Sequence, residues 1–206
     1  MTVQIGDIYN YNEQEYVCIK RNADVFNPRD YGFQPSWVCS SCWRGYWCEY
    51  EIKNDRIQLQ TLYIHDADEH YPMINGVSIS PVEYMPALTQ TDEGLIPTEI
   101  PLYFGHETYE HVDLILPYTG KLLLGIPFSK YSYFFHPSEC KKLLCFEFDN
   151  GELKGIEDCS ETAHILHKVY KRFRLREFAD DEELYEKLPE GFRGPLWWFK
   201  KDTTRS

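Results

Sequence analysis

From Ser41 to Leu59 the chain writes a turn, a strand, a second turn and a second strand with almost no interruption. Ser41-Cys42-Trp43-Arg44-Gly45-Tyr46 reads as a tight aromatic turn, because Gly45 permits a positive φ that other residues resist. It feeds a strand through Glu51-Ile52-Lys53. Asn54-Asp55 then supplies hairpin-turn chemistry, and Arg56-Ile57-Gln58-Leu59 returns. Tyr46, Cys48, Tyr50 and Ile52 recur at period two and so share one face of the strand. Much of the plan returns in Tyr118-Thr119-Gly120-Lys121-Leu122 and in Leu144 to Leu153, where Asp149-Asn150-Gly151 is the strongest short-range hairpin signal in the chain. A chain with two such blocks is held to sheet built from hairpins.

The remaining segments are read around those blocks. Ile5–Tyr11 and Glu15–Lys20 flank Asn12-Glu13-Gln14 and predict an opening hairpin. Residues 21–35 read as a loop, and Trp37-Val38-Cys39 as a short strand. Residues 66–101 hold five prolines and look least structured, with at most a short strand at Val77–Ser80. After Cys159 the period changes: Ala163, Leu166, Val169, Tyr170 and Phe173 predict a helix that Ser160 would cap. Asp180 with Glu183 predicts a second short helix, and the apolar tail Leu196-Trp197-Trp198-Phe199 is expected to dock on the body. An aromatic share of 16% suits a pleated surface. The expected fold is therefore α+β, mainly antiparallel sheet from hairpins, with C-terminal helices. One domain spans 1–206, with residues 1–65 and 102–159 as pseudo-repeated halves around a Pro-rich middle.

A net charge of −12 repels phosphate backbones and anionic lipid, which argues against nucleic-acid and membrane partners. It attracts basic proteins, although acidity for solubility alone is an equally physical explanation. No basic and apolar leader is visible at Met1–Asp7, and no apolar run reaches the roughly 20 residues of a spanning helix. Seven cysteines suit reduced thiols, so the expected location is cytoplasmic.

Candidate chemistry is sparse. Trp43, Arg44 and Tyr46, with His136 added from downstream, could line a ligand pocket: arginine forks a carboxylate or phosphate, and the rings stack. The competing reading is structural, with Arg44 paired to an acid and the rings closing the core edge. Cys39 and Cys42 form a C-x-x-C, a weak zinc candidate without a matching second knuckle, and buried thiols are the stronger reading. A thioredoxin-like redox reading of the same pair lacks its βαβ context. His65 to His70 is rich in metal-type ligands but lacks the glycine and terminal glutamate of an EF-hand loop. His164 and His167 stand at i, i+3 without a signposted third ligand. No nucleophile elbow or phosphate loop is present, and no cofactor is implied.

The Ser41–Tyr46 turn, with Glu51-Ile52 and Arg56–Leu59, resembles a motif of a widespread bacterial family of small proteins with no established activity. Tyr118–Leu122 and the strand pair at Asn150-Gly151 resemble its second block. The resemblance implies a bacterial origin and adds no site residues. Taken together, the sequence predicts a non-enzymatic protein-interaction module, with an immunity-type binder of a basic partner as one concrete form. The alternative is an enzyme or small-ligand binder using the aromatic and arginine pocket.

Overall fold

The computed structural model describes residues 4–91, 94–101, 105–129 and 136–173. The second helix expected from Asp180 and the apolar tail lie outside the described residues.

Local alternation delivers the strands it promised. Strands β1 (Ile8–Tyr11) and β2 (Gln14–Arg21) make the opening hairpin, and β3 (Tyr46–Lys53) and β4 (Arg56–Ile64) make the second. Asn54 and Asp55 both take positive φ, as a two-residue hairpin turn demands. Further on come β5 (Tyr84–Thr91), β6 (Gly94–Pro101), β7 (Glu107–Tyr109), β8 (Leu114–Ile115) and β9 (Gly120–Pro127). Strands β10 (Cys140–Asp149) and β11 (Glu152–Asp158) turn at Asn150-Gly151, and helix α1 (Ser160–Phe173) follows.

The fold class differs from the expectation. The molecule is mostly β, with a closed seven-stranded mixed barrel and one short helix among the described residues, rather than an α+β stack of antiparallel hairpins. Strands run in the ring order β11-β10-β9-β2-β1-β3-β4, and β4 meets β11 to close it through Glu152 opposite Arg56. The Leu153 N–H to Asp55 carbonyl and Ile57 N–H to Gly151 carbonyl bonds extend that seam. Strands β1 and β3 are parallel, Ile8 beside Glu49 and Tyr11 beside Ile52. Hairpin signals report only strands that are neighbours in sequence. The parallel pair is made by the long crossover through β2 and residues 22–45, which carries no such signal. In the ring β1–β4 and β9–β11 stand as two contiguous blocks, joined where β2 pairs with β9 and where β4 meets β11.

Closing the ring fills its interior with side chains, as expected of a barrel this small. Tyr9 stacks on Tyr50 at 4.7 Å between ring centres, and Phe146, Phe148, Ile57 and Leu59 complete a fully buried core. On β10 the core-facing Leu144 and Phe146 alternate with buried Leu143 and Cys145 on the outer face, where α1 packs. Ser160 does not serve as the expected helix cap. Its hydroxyl accepts from the Leu143 N–H at 3.1 Å, and Asp158 Oδ1 accepts the Ser160 N–H at 2.9 Å.

Residues 66–101 hold a further correction. They contain the β5–β6 hairpin, a two-stranded ribbon that pairs with no other strand among the described residues. Alternation failed to flag it because its apolar residues fall on both faces. Strands at Trp37–Cys39 and Val77–Ser80 reduce to single bridges, Cys39 with Cys42 and Ile74 with Val77.

Candidate functional site

The turn before β3 brings Arg44 and Tyr46 together, and Asp7 anchors them. Its carboxylate is buried just before β1 and accepts the Cys48 N–H at 2.9 Å across the parallel pair. Arg44 lays both Nη atoms on the same carboxylate and donates from Nε to the Tyr46 carbonyl at 2.6 Å. Arg21 adds a fourth donor to Asp7 at 2.9 Å and reaches Asp24 on its other side. The Arg44 guanidinium also lies 4.5 Å from the centre of the Tyr46 ring. Burial alone would lower both arginine pKa values, and Asp7 more than offsets it and holds them up. The fork that the sequence offered to a ligand is thus occupied by the protein's own carboxylate.

Trp43 stands apart from this lock, 60% exposed, with its N–H donating to Gln4 Oε1. His136 belongs to another neighbourhood. It caps the 3-10 turn Pro137–Glu139 that leads into β10, with Nδ1 2.8 Å from Ser138 Oγ. Strands β3 and β10 lie across the ring from one another, with β1, β2 and β9 between them on one side and β4 and β11 on the other. The pocket expected from Trp43, Arg44, Tyr46 and His136 is therefore not assembled from these four.

Cys39 and Cys42 face each other across their turn, and Cys42 packs under the stacked Trp47 and Tyr63 rings. No group of three His, Cys, Asp or Glu suited to hold a metal ion occurs among the described residues. In the His65–His70 run, Asp66 serves the fold: its buried carboxylate accepts N–H groups from Gln34, Asp68 and His70. His167 Nδ1 sits 2.8 Å from the Ser138 carbonyl, joining α1 to the turn before β10.

The feature that sequence reasoning missed is the β5–β6 ribbon. Eight paired residues give each strand a length of about 26 Å. Paired residues share a face, so Tyr84, Leu88 and Leu95 lie on one side and Met85, Ile96 and Ile100 on the other. All six are exposed, Leu88 at 65% and Leu95 at 62%. A two-stranded ribbon is marginal alone in water, and this one keeps both apolar faces open.

Its edges are closed differently. Two residues separate the paired Thr91 and Gly94, which makes that pair hydrogen-bonded, and the bonded pairs alternate from there. Pro86, Pro97 and Pro101 all fall at non-bonded pairs, where backbone N–H groups point outward. Each edge therefore lacks donors at those positions, which blocks addition of a further strand.

The charge in this part of the chain has a single sign. Between Arg56 and Lys121 the chain contains ten Asp and Glu and no Lys or Arg, so this stretch carries most of the net charge of −12. On the ribbon and its stem, Glu83 and Glu99 are exposed and enter no ion pair among the described residues. At the base a narrow cleft of about 20 Å³ is lined by Glu83, Glu107, Glu110 and His106. A second, open groove of about 780 Å³ lies between the turn tips of the two N-terminal hairpins, beside Leu153. Neither is lined by Trp43, Arg44, Tyr46 or His136. The missing cations were readable in the sequence as a gap. The ribbon that the gap decorates was not.

No family model, no curated protein and no solved structure matches the chain. No helix among the described residues is long and apolar enough to cross a membrane.

Proposed function

We propose that this protein is a non-enzymatic interaction module that binds a basic protein through the β5–β6 ribbon. The observation that carries the reading is the ribbon itself, open and apolar on both faces, with acidic residues as its only charges. Large apolar side chains gathered on one exposed element mark a binding surface rather than ordinary exposure. Two uncovered faces suit insertion into a cleft, and proline at both edges argues for recognition by side chains instead of strand addition. Charge selects the occupant. A second copy would bring like charge against like, whereas a basic cleft is attracted and steered. An immunity-type protein that occludes a basic toxin domain is one form of this reading.

The test is capture from the cell of origin at low salt, followed by titration of the purified partner. The native chain is compared with the double variant Leu88→Ser/Leu95→Ser. The expected result is one basic protein, released by salt, whose affinity drops at least about tenfold in the variant, as for loss of central apolar anchors. Binding indifferent to both salt and the double variant would overturn the proposal. So would a dimer that forms through the ribbon.

A further inference from the structure

The Cys39–Cys42 turn lies on the β3–β4 wall and plays no part in the ribbon. Across Ser40 and Ser41 the two cysteines form an antiparallel bridge, and the Cys42 N–H donates to the Cys39 carbonyl at 3.1 Å. Residues bridged in this way stand about 4.5–5.5 Å apart at Cα. That separation falls inside the range a disulfide accepts without moving backbone. The side chains share one cluster, with Cys39 packed against Cys42, Trp47 and Tyr63.

Their environments are unlike. Cys42 is buried, its thiol donates to the Tyr46 carbonyl at 3.6 Å, and burial pushes its pKa up. Cys39 is only half-buried, with Sγ 3.2 Å from Ser41 Oγ. That hydrogen bond, helped by the backbone N–H groups of Ser41 and Cys42 and opposed by partial burial, holds the Cys39 thiol below the usual range. Cys18, Cys48, Cys140 and Cys159 all move the other way through burial. An accessible thiol of lowered pKa beside a buried partner of raised pKa is the arrangement that divides attack from resolution. This chemistry needs the geometry of the pair and does not need a βαβ scaffold.

We propose that Cys39 and Cys42 form a thiol–disulfide exchange site for a small-molecule disulfide, with Cys39 attacking and Cys42 resolving. The Cys39 thiolate attacks one sulfur of the disulfide. That S–S bond breaks, one thiolate leaves and takes a proton from water, and a mixed disulfide stands on Cys39. Cys42 then gives its proton to solvent and attacks the Cys39 sulfur, expelling the second thiol. The protein pair is oxidised by two electrons and the small disulfide is reduced to two thiols.

The probe is glutathione. The full chain is equilibrated across ratios of reduced to oxidised glutathione, quenched in acid, alkylated and mapped by mass spectrometry. The expected product is a peptide lighter by two hydrogens, with Cys39 and Cys42 both protected from alkylation. Trace iodoacetamide at neutral pH should label Cys39 at least about tenfold faster than Cys42. Cys42→Ser should accumulate glutathione on Cys39, and Ser41→Ala should move the pH midpoint of Cys39 labelling upward. Both thiols remaining open to alkylation at every ratio would overturn the assignment. A glutathione adduct forming on Cys42 in Cys39→Ser as fast as on Cys39 in Cys42→Ser would overturn the order of attack.

Discussion

Asp7 shows how much one carboxylate can organise. It ties the start of β1 to the start of β3 through the Cys48 N–H, and it draws in Arg44 and Arg21 from 37 and 14 positions away. Removing it leaves two part-buried guanidinium groups without the carboxylate they share. Asp7→Ala should cost about 3 kcal/mol in urea unfolding, toward the low end for a broken buried ion pair because both arginines still reach water. Asp66 makes a pH prediction. Burial alone would raise its pKa, but N–H donors from Gln34, Asp68 and His70 hold the carboxyl below the usual range. A group lowered in the folded state contributes fully above its unfolded pKa, near 4, and loses that contribution as pH falls through the folded value. Asp66→Asn should therefore lose about 1 kcal/mol at neutral pH and approach the native chain's stability in acid, once pH has fallen through the folded value. An equal loss at both pH values would show that the carboxylate charge is not what matters.

At the scale of elements, the ribbon combines an invitation with a restraint. Its faces are apolar, and its edges lose outward donors at Pro86, Pro97 and Pro101. Restoring one donor tests that restraint. Pro97→Val keeps an apolar side chain and returns an N–H to the β6 edge, so it should promote self-association at concentrations where the native chain stays monodisperse. Sedimentation velocity would show it as a concentration-dependent shift, and an unchanged profile would remove proline from the explanation. The same ribbon shows why residues 66–101 read as loop. Proline density is a turn signal in a central strand, yet it is compatible with the free edges of an isolated pair. Alternation also goes silent when both faces carry apolar residues, because neither face is assigned to a core. The strands of the barrel wall pose no such difficulty. In β3 the face of Cys48, Tyr50 and Ile52 is buried in the ring, so period two is written plainly and the boundaries fall close to expectation.

For the whole molecule, closure is the decisive event, and Gly151 sits at its seam. It takes φ of +78°, its N–H donates to Tyr118 and its carbonyl accepts from Ile57. A Cβ there would come 2.1 Å from the Leu116 carbonyl oxygen, a backbone atom with no freedom to yield. Gly151→Ala should cost at least about 2 kcal/mol, more than an ordinary turn glycine, because strain in the turn is added to a displaced seam. A midpoint within error of the native chain would mean that the ring closes without this contact. The β1–β2 and β3–β4 hairpins, the Asn150-Gly151 turn and helix α1 follow from sequence alone, since alternation, turn chemistry and helical period act between residues a few positions apart. The structural reading of Arg44 was also open there, but its acid partner was not, because nothing local links Arg44 to Asp7. The parallel β1–β3 pair, the meeting of β4 with β11 and the placing of His136 across the ring from Arg44 were left to tertiary structure. Those relations join residues far apart in the chain. They are selected by the summed burial of one shared core, which no short stretch of sequence can express.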